Sequence, residues 1–194
     1  MRFPGAALLA AVLASWTAPA AADSIGPGVR APEAAGIVIN GPEGTRVSTL
    51  LGRVLVVEFW ASWCGPCIES IPRLQALRHE VHKSGFGADF EILGVGLDKR
   101  VEDARRFLSV RPVSYPVVVD TLGIASANYG VWRLPATFLV DRSGEIRQIY
   151  HGYGPGFGED LRQRVFELLR DRHSPTDSRP PDAAVSMQAP RPDP

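Results

Sequence analysis

The chain has 194 residues, and its 21 Lys and Arg are matched by 21 Asp and Glu. That balance, without a basic run anywhere, argues against nucleic acid or an anionic membrane surface as a partner. The length suffices for a packed core, so the fold need not depend on the only two cysteines, Cys64 and Cys67.

Arg2, an apolar stretch from Ala6 to Trp16 and the run Ala18-Pro19-Ala20-Ala21-Ala22 form the pattern of a signal peptide over residues 1–22. We expect export to a periplasmic or other extracytoplasmic space. The apolar stretch is short of the roughly 20 residues that span a bilayer, which leaves an uncleaved N-terminal anchor as the alternative. No cysteine near the cleavage site is available for lipid attachment. Residues 23–34, with Pro27, Gly28 and Pro32, read as a linker, and 35–171 as one compact domain. Residues 172–194 are rich in Pro, Ser and Asp and poor in large apolar side chains, which predicts a disordered tail.

Within the domain, Ile37 to Ile39, the turn residues Asn40-Gly41-Pro42 and Arg46 to Leu50 predict an N-terminal β-hairpin. Val54 to Trp60 is a continuous apolar run, the pattern of a strand covered on both faces. Ile68, Ile71, Leu74, Leu77 and Val81 recur at helical spacing, with Pro72 as an expected kink. A buried strand over 91–97, a helix marked by Val101, Ala104, Phe107 and Leu108, and a short strand at Val117 to Val119 follow. A brief helix over 124–129 leads to a strand from Ala136 to Val140. The turn Asp141-Arg142-Ser143-Gly144 then opens a strand over 145–150. Leu161, Val165, Leu168 and Leu169 define a last amphipathic helix. Strands alternating with helices make this an α/β fold with a mixed central sheet.

Cys64 and Cys67 stand where the apolar strand gives way to the helix, in Trp63-Cys64-Gly65-Pro66-Cys67. Pro66 has a fixed φ and no N–H to donate, which suits the first turn of a helix. The unpaired N–H groups and dipole of that helix end favour a thiolate on Cys64, making it the nucleophile. Cys67 is close enough in sequence to resolve a mixed disulfide formed there. A purely structural disulfide closes too small a loop to restrict the unfolded chain much. His79 and His82 complete a spacing superficially like that of a zinc finger, Cys-x2-Cys-x11-His-x2-His. Twelve residues of one helix would nevertheless hold Cys67 and His79 roughly 18 Å apart, so no metal is expected.

The string FWASWCGPC at 59–67 resembles the active site of the thioredoxin superfamily, and YGVWRLPATFLVD at 129–141 resembles its cis-proline segment. The signal peptide, the hairpin, the additional strand-helix unit over 91–119 and Pro72 resemble the TlpA/ResA-like exported thiol–disulfide oxidoreductases. The resemblance covers roughly residues 35–170. It implies a thioredoxin-like fold with that hairpin and a strand-helix insertion. Pro135 is then the cis-proline, since the cis form costs little before proline, and beside it the Leu134 backbone pairs with an extended client segment. Trp63, Gly65 and Pro66 line the same docking surface, with Tyr129 and Trp132 as further candidates for its rim, while Trp60 reads as core.

Glu58 matches the buried aspartate of cytosolic-type thioredoxins and becomes the candidate to exchange a proton with Cys67; the alternative is a strand-end carboxylate with a cationic or solvent partner. TlpA/ResA-like chains commonly carry a glutamate at the position of Ser70 and a neutral polar residue at that of Glu58. This chain departs at both, so the acid-base group has moved to the strand. Glu69 is read as a surface residue.

The expected function is reduction of disulfides in exported client proteins through the Cys64–Cys67 pair, with no cofactor beyond that redox-active disulfide. A membrane thiol carrier would resupply electrons to a monomer, and the resemblance implies clients in cytochrome c maturation or copper-site assembly. The Gly-Pro between the cysteines resembles reducing thioredoxins, but potentials in this fold range from roughly −270 to −120 mV, so a thiol oxidant or disulfide isomerase is the alternative. A peroxidase would need a Pro/Thr-containing loop before its cysteine, where Ser62 and Trp63 stand. A copper-binding assembly factor would need wider Cys spacing and a distant histidine, for which His151 is the candidate.

Overall fold

A computed structural model describes residues 25–171. The predicted signal peptide and tail, and residues 23–24 of the predicted linker, lie outside those residues. Six strands form one mixed sheet in the order β1-β4-β3-β2-β5-β6. They are β1 (Ile37–Asn40), β2 (Val54–Trp60), β3 (Phe90–Gly96), β4 (Val117–Val119), β5 (Ala136–Val140) and β6 (Ile146–His151). The helices are α1 (Val47–Leu50), α2 (Cys67–Val81), α3 (Val101–Val110), α4 (Ile124–Asn128) and α5 (Phe157–Arg170). The α/β fold with a mixed sheet flanked by helices is therefore as the sequence predicts.

The central strand β2 is buried along its whole length, parallel to β3 and antiparallel to β5. Side chains alternate across a strand. Val54, Val56 and Trp60 thus meet Leu74, Leu77 and Val81 of α2 and Leu161 and Val165 of α5 in one core. Leu55, Val57 and Phe59 enter a second core on the other face with Tyr129, Phe138 and Val140. Glu58 falls in the first register, on the face that carries α2.

The structure corrects three sequence expectations. Arg46 to Leu50 does not pair back on Ile37 to Ile39; it forms the short helix α1, and β1 pairs antiparallel with β4 instead. Val47 and Leu50 are the buried positions of that segment, and a spacing of three fits one helical turn. Gly36 permits β1 to close on β4, since a Cβ there would lie 2.4 Å from the Val119 carbonyl oxygen. The described part of the predicted linker is packed rather than extended: Gly28 N–H donates to the Ile146 carbonyl at 2.8 Å, Ala31 N–H to that of Gly144 at 2.8 Å, and Ala34 is buried. Pro72 sits inside α2, which runs unbroken from Cys67 to Val81 and so places Cys67 and His79 at opposite ends of it. Ile68 is exposed and takes no part in the core.

Candidate active site

At its C-terminal end β2 runs into a tight turn that starts α2. Cys67 N–H donates to the Cys64 carbonyl at 3.2 Å and Ile68 N–H to that of Gly65 at 3.0 Å; Pro66 caps the helix with φ −61°. Cys67 N–H also points at Cys64 Sγ, 3.2 Å away. A donor aimed at that sulfur favours its anionic form, as the sequence argument requires. Cys64 and Cys67 are joined as a disulfide. Cys64 retains 5 % exposure and Cys67 none, so of the two residues only the first reaches the surface.

The loop before the cysteines is anchored from β3. Buried Asp98 accepts the Ser62 N–H at 3.0 Å and the Ser62 hydroxyl at 2.6 Å, and Leu97 N–H donates to the Trp60 carbonyl at 2.8 Å. The sequence reading missed Asp98, because no local pattern ties it to a loop 36 residues away. Trp60 is core, its ring tilted against Phe107.

The Leu134–Pro135 peptide bond is cis. Leu134 lies beside Cys64 in a groove of about 470 Å³, with Trp63, Leu97, Val131 and Trp132 along its walls and Gly65 and Pro66 at its margin. No hydrogen bond within the described residues engages the Leu134 N–H or carbonyl. Trp63 and Trp132 are both strongly exposed. Tyr129 is not at this rim: it is buried against Phe59 and Phe138, with its hydroxyl donating to the Pro32 carbonyl.

Glu58 lies wholly inside, accepting from Ser70 Oγ at 2.8 Å and from the Thr137 hydroxyl, which stands opposite it on β5. Burial pushes its carboxyl up to about 7, against the opposing pull of the Thr137 and Ser70 hydrogen bonds. Burial, with the nearby Glu58 charge adding to it, also raises the Tyr115 phenol. The Ser70 hydroxyl that binds Glu58 also lies 3.4 Å from the Cys67 backbone carbonyl, one helical turn away. Among the described residues Glu58 has no cationic partner, and Glu69 is exposed on the flank of α2. Among the described residues no cluster of His, Cys, Asp or Glu is placed to hold a metal, and no helix is long and apolar enough to cross a membrane.

The AhpC/TSA family profile matches residues 27–149. The chain is 32% identical to thiol-disulfide oxidoreductase ResA of Geobacillus kaustophilus over 107 residues, which are 55% of this chain and 59% of that protein. It is 28% identical to ResA of Halalkalibacterium halodurans over 141 residues, 71% of this chain and 76% of that one. A solved structure of a Chlorobium tepidum protein, described as a thiol:disulfide interchange protein DsbE, superposes with a TM-score of 0.69 at 32% identity, covering 75% of this chain and 99% of that one. The chain thus spans little more than half of the first of these relatives and nearly all of the solved domain. By sequence and by its thioredoxin-like fold, the chain belongs to the AhpC/TSA family.

Proposed function

We propose that the protein is an exported thiol–disulfide oxidoreductase that reduces disulfides in client proteins through Cys64 and Cys67. The carrying observation is the asymmetry of the pair: Cys64 borders the groove, under the first N–H of α2, and Cys67 is sealed behind it. The similarity to ResA proteins supports the same reading.

In the reduced enzyme the Cys64 thiolate attacks one sulfur of a client disulfide, and the other client sulfur leaves as a thiolate and takes up a proton. Cys67 gives its proton toward Glu58 and then attacks Cys64, expelling the remaining client thiol. Two electrons have passed to the client, and the enzyme is left as the disulfide. A dithiol reductant resets it, in this reading a membrane thiol carrier. The open Leu134 backbone holds the client segment in strand fashion while this happens. Proteins of cytochrome c maturation or copper-site assembly are the client classes implied by the resemblance to TlpA/ResA-like chains.

The test is trapping. Cys67→Ser should accumulate client proteins in mixed disulfide with Cys64, and Cys64→Ser should capture none. Reduced wild type should open the disulfides of insulin. Failure of both experiments overturns the reading, as does rapid single-turnover reduction of hydrogen peroxide to water by the reduced protein, with Cys64 and Cys67 oxidised to the disulfide, which would make the chain a peroxidase.

A further inference from the structure

The groove beside Cys64 has an unusual wall. Trp63 and Trp132 are 71 % and 72 % exposed, and both border the same 470 Å³ depression. Two bare indoles bordering one groove leave apolar surface that water covers badly and a partner's side chain would cover well. The Trp132 ring is not loose: it lies 5.0 Å from the His151 ring of β6, tilted by 40°. Its neighbour Arg133 is the one charged residue of the lining. The Arg133 side chain crosses over Gly152, where a Cβ would come within 2.9 Å of Nε, so the glycine makes the space for it. No carboxylate or carbonyl among the described residues accepts from this guanidinium. The groove therefore offers apolar walls, one cation and no anion.

A client segment paired with Leu134 would be extended, with alternate side chains on one face and about 7 Å between residues two apart. We propose that Trp132 and Arg133 select clients, taking segments whose disulfide cysteine has a large apolar side chain two residues to one side, seated between the tryptophans, and a carboxylate near it to meet Arg133. This rests on the oxidoreductase reading above and adds to it the chemistry of the client. Apolar packing supplies most of the discrimination, and the exposed charge pair adds orientation and a smaller factor.

The experiment uses the reduced purified protein in single turnovers, which need no electron donor. Symmetrical disulfide dimers of two peptides are compared, one with Phe and Glu around its cysteine and one with Ser and Lys. The first should be reduced about tenfold faster or more. Because selectivity is read as the ratio of the two rates within each variant, an overall loss of rate does not disturb it. Trp132→Ala and Arg133→Glu should each lower the ratio of the first rate to the second. Equal rates for the two peptides, or ratios that neither substitution moves, overturn the proposal. If reduced wild type also fails to reduce 5,5′-dithiobis(2-nitrobenzoate), the underlying oxidoreductase reading falls with it; if that reagent is reduced, only the selectivity is lost.

Discussion

Ser70 on α2 donates its hydroxyl hydrogen to Glu58 on β2 across 2.8 Å, so the two positions open onto one buried volume. That contact explains how the chain can depart from the pattern that its resemblance to TlpA/ResA-like chains implies. A glutamate reaching down from position 70 and one reaching across from position 58 would place a carboxylate in the same space, and either element can carry it. Two carboxylates there would repel at close range in a dry environment, which a small hydroxyl avoids.

If that carboxylate takes the proton of Cys67, Glu58→Gln slows release of the first reduced client on the order of 10²-fold. The double change Glu58→Thr with Ser70→Glu should recover most of the loss. In wild type the release rate should climb as pH rises through about 7, where Glu58 becomes a base, and in Glu58→Gln it should lose that rise. Rapid-quench measurement of client thiol across a pH series checks all three.

Stability supplies a separate test of the same group. Glu58 has a folded-state value of about 7 against an ordinary 4.5, so the folded protein holds the proton more tightly than the unfolded chain. Stability is then full at acid pH and falls as pH rises from about 4.5 to 7, by about 3 kcal/mol over the interval. Glu58→Gln removes that dependence. Urea unfolding should find the variant little changed at pH 5 and more stable than wild type at pH 8.

Much of this site was legible before the structure, for physical reasons. The β2 run is buried on both faces and so carries no polar alternation; Glu58 stands out as the one charge in it. The cysteines and Pro66 announce a helix start locally. What was misread depends on partners distant in sequence. Ile37 to Ile39 has strand composition, but its partner Val117 to Val119 lies beyond α1, β2, α2, β3 and α3, and no turn signal marks such a pairing. Thr137 meets Glu58 only through the register of β2 with β5. Tyr129 looked like a rim aromatic because it precedes the cis-proline segment; α4 ends there and delivers it into the second core.

Arg142, in the turn between β5 and β6, closes the far end of α5. Its guanidinium donates to the carbonyls of Leu168 at 2.6 Å and Leu169 at 3.2 Å, groups that have no partner within the helix. Arg142→Ala should cost about 1 to 2 kcal/mol of stability. Since the turn lies at the opposite end of β5 from Pro135, insulin reduction by the folded variant should match wild type.

Asp98 is the residue whose loss should separate anchoring from chemistry. It accepts both the N–H and the hydroxyl of Ser62, two residues before Cys64, from a buried position at the end of β3. Asp98→Ala leaves those donors without an acceptor and should destabilise the protein by about 2 to 3 kcal/mol. Ser62→Ala removes only the hydroxyl and should cost about 1 kcal/mol. Asp98→Asn keeps a carbonyl oxygen for one donor and should fall between them. If the anchor also sets where Cys64 sits, single-turnover peptide reduction at low urea should decline in the same order, Asp98→Ala being slowest. Rates that stay at the wild-type level while stability falls would make the contact a matter of folding alone.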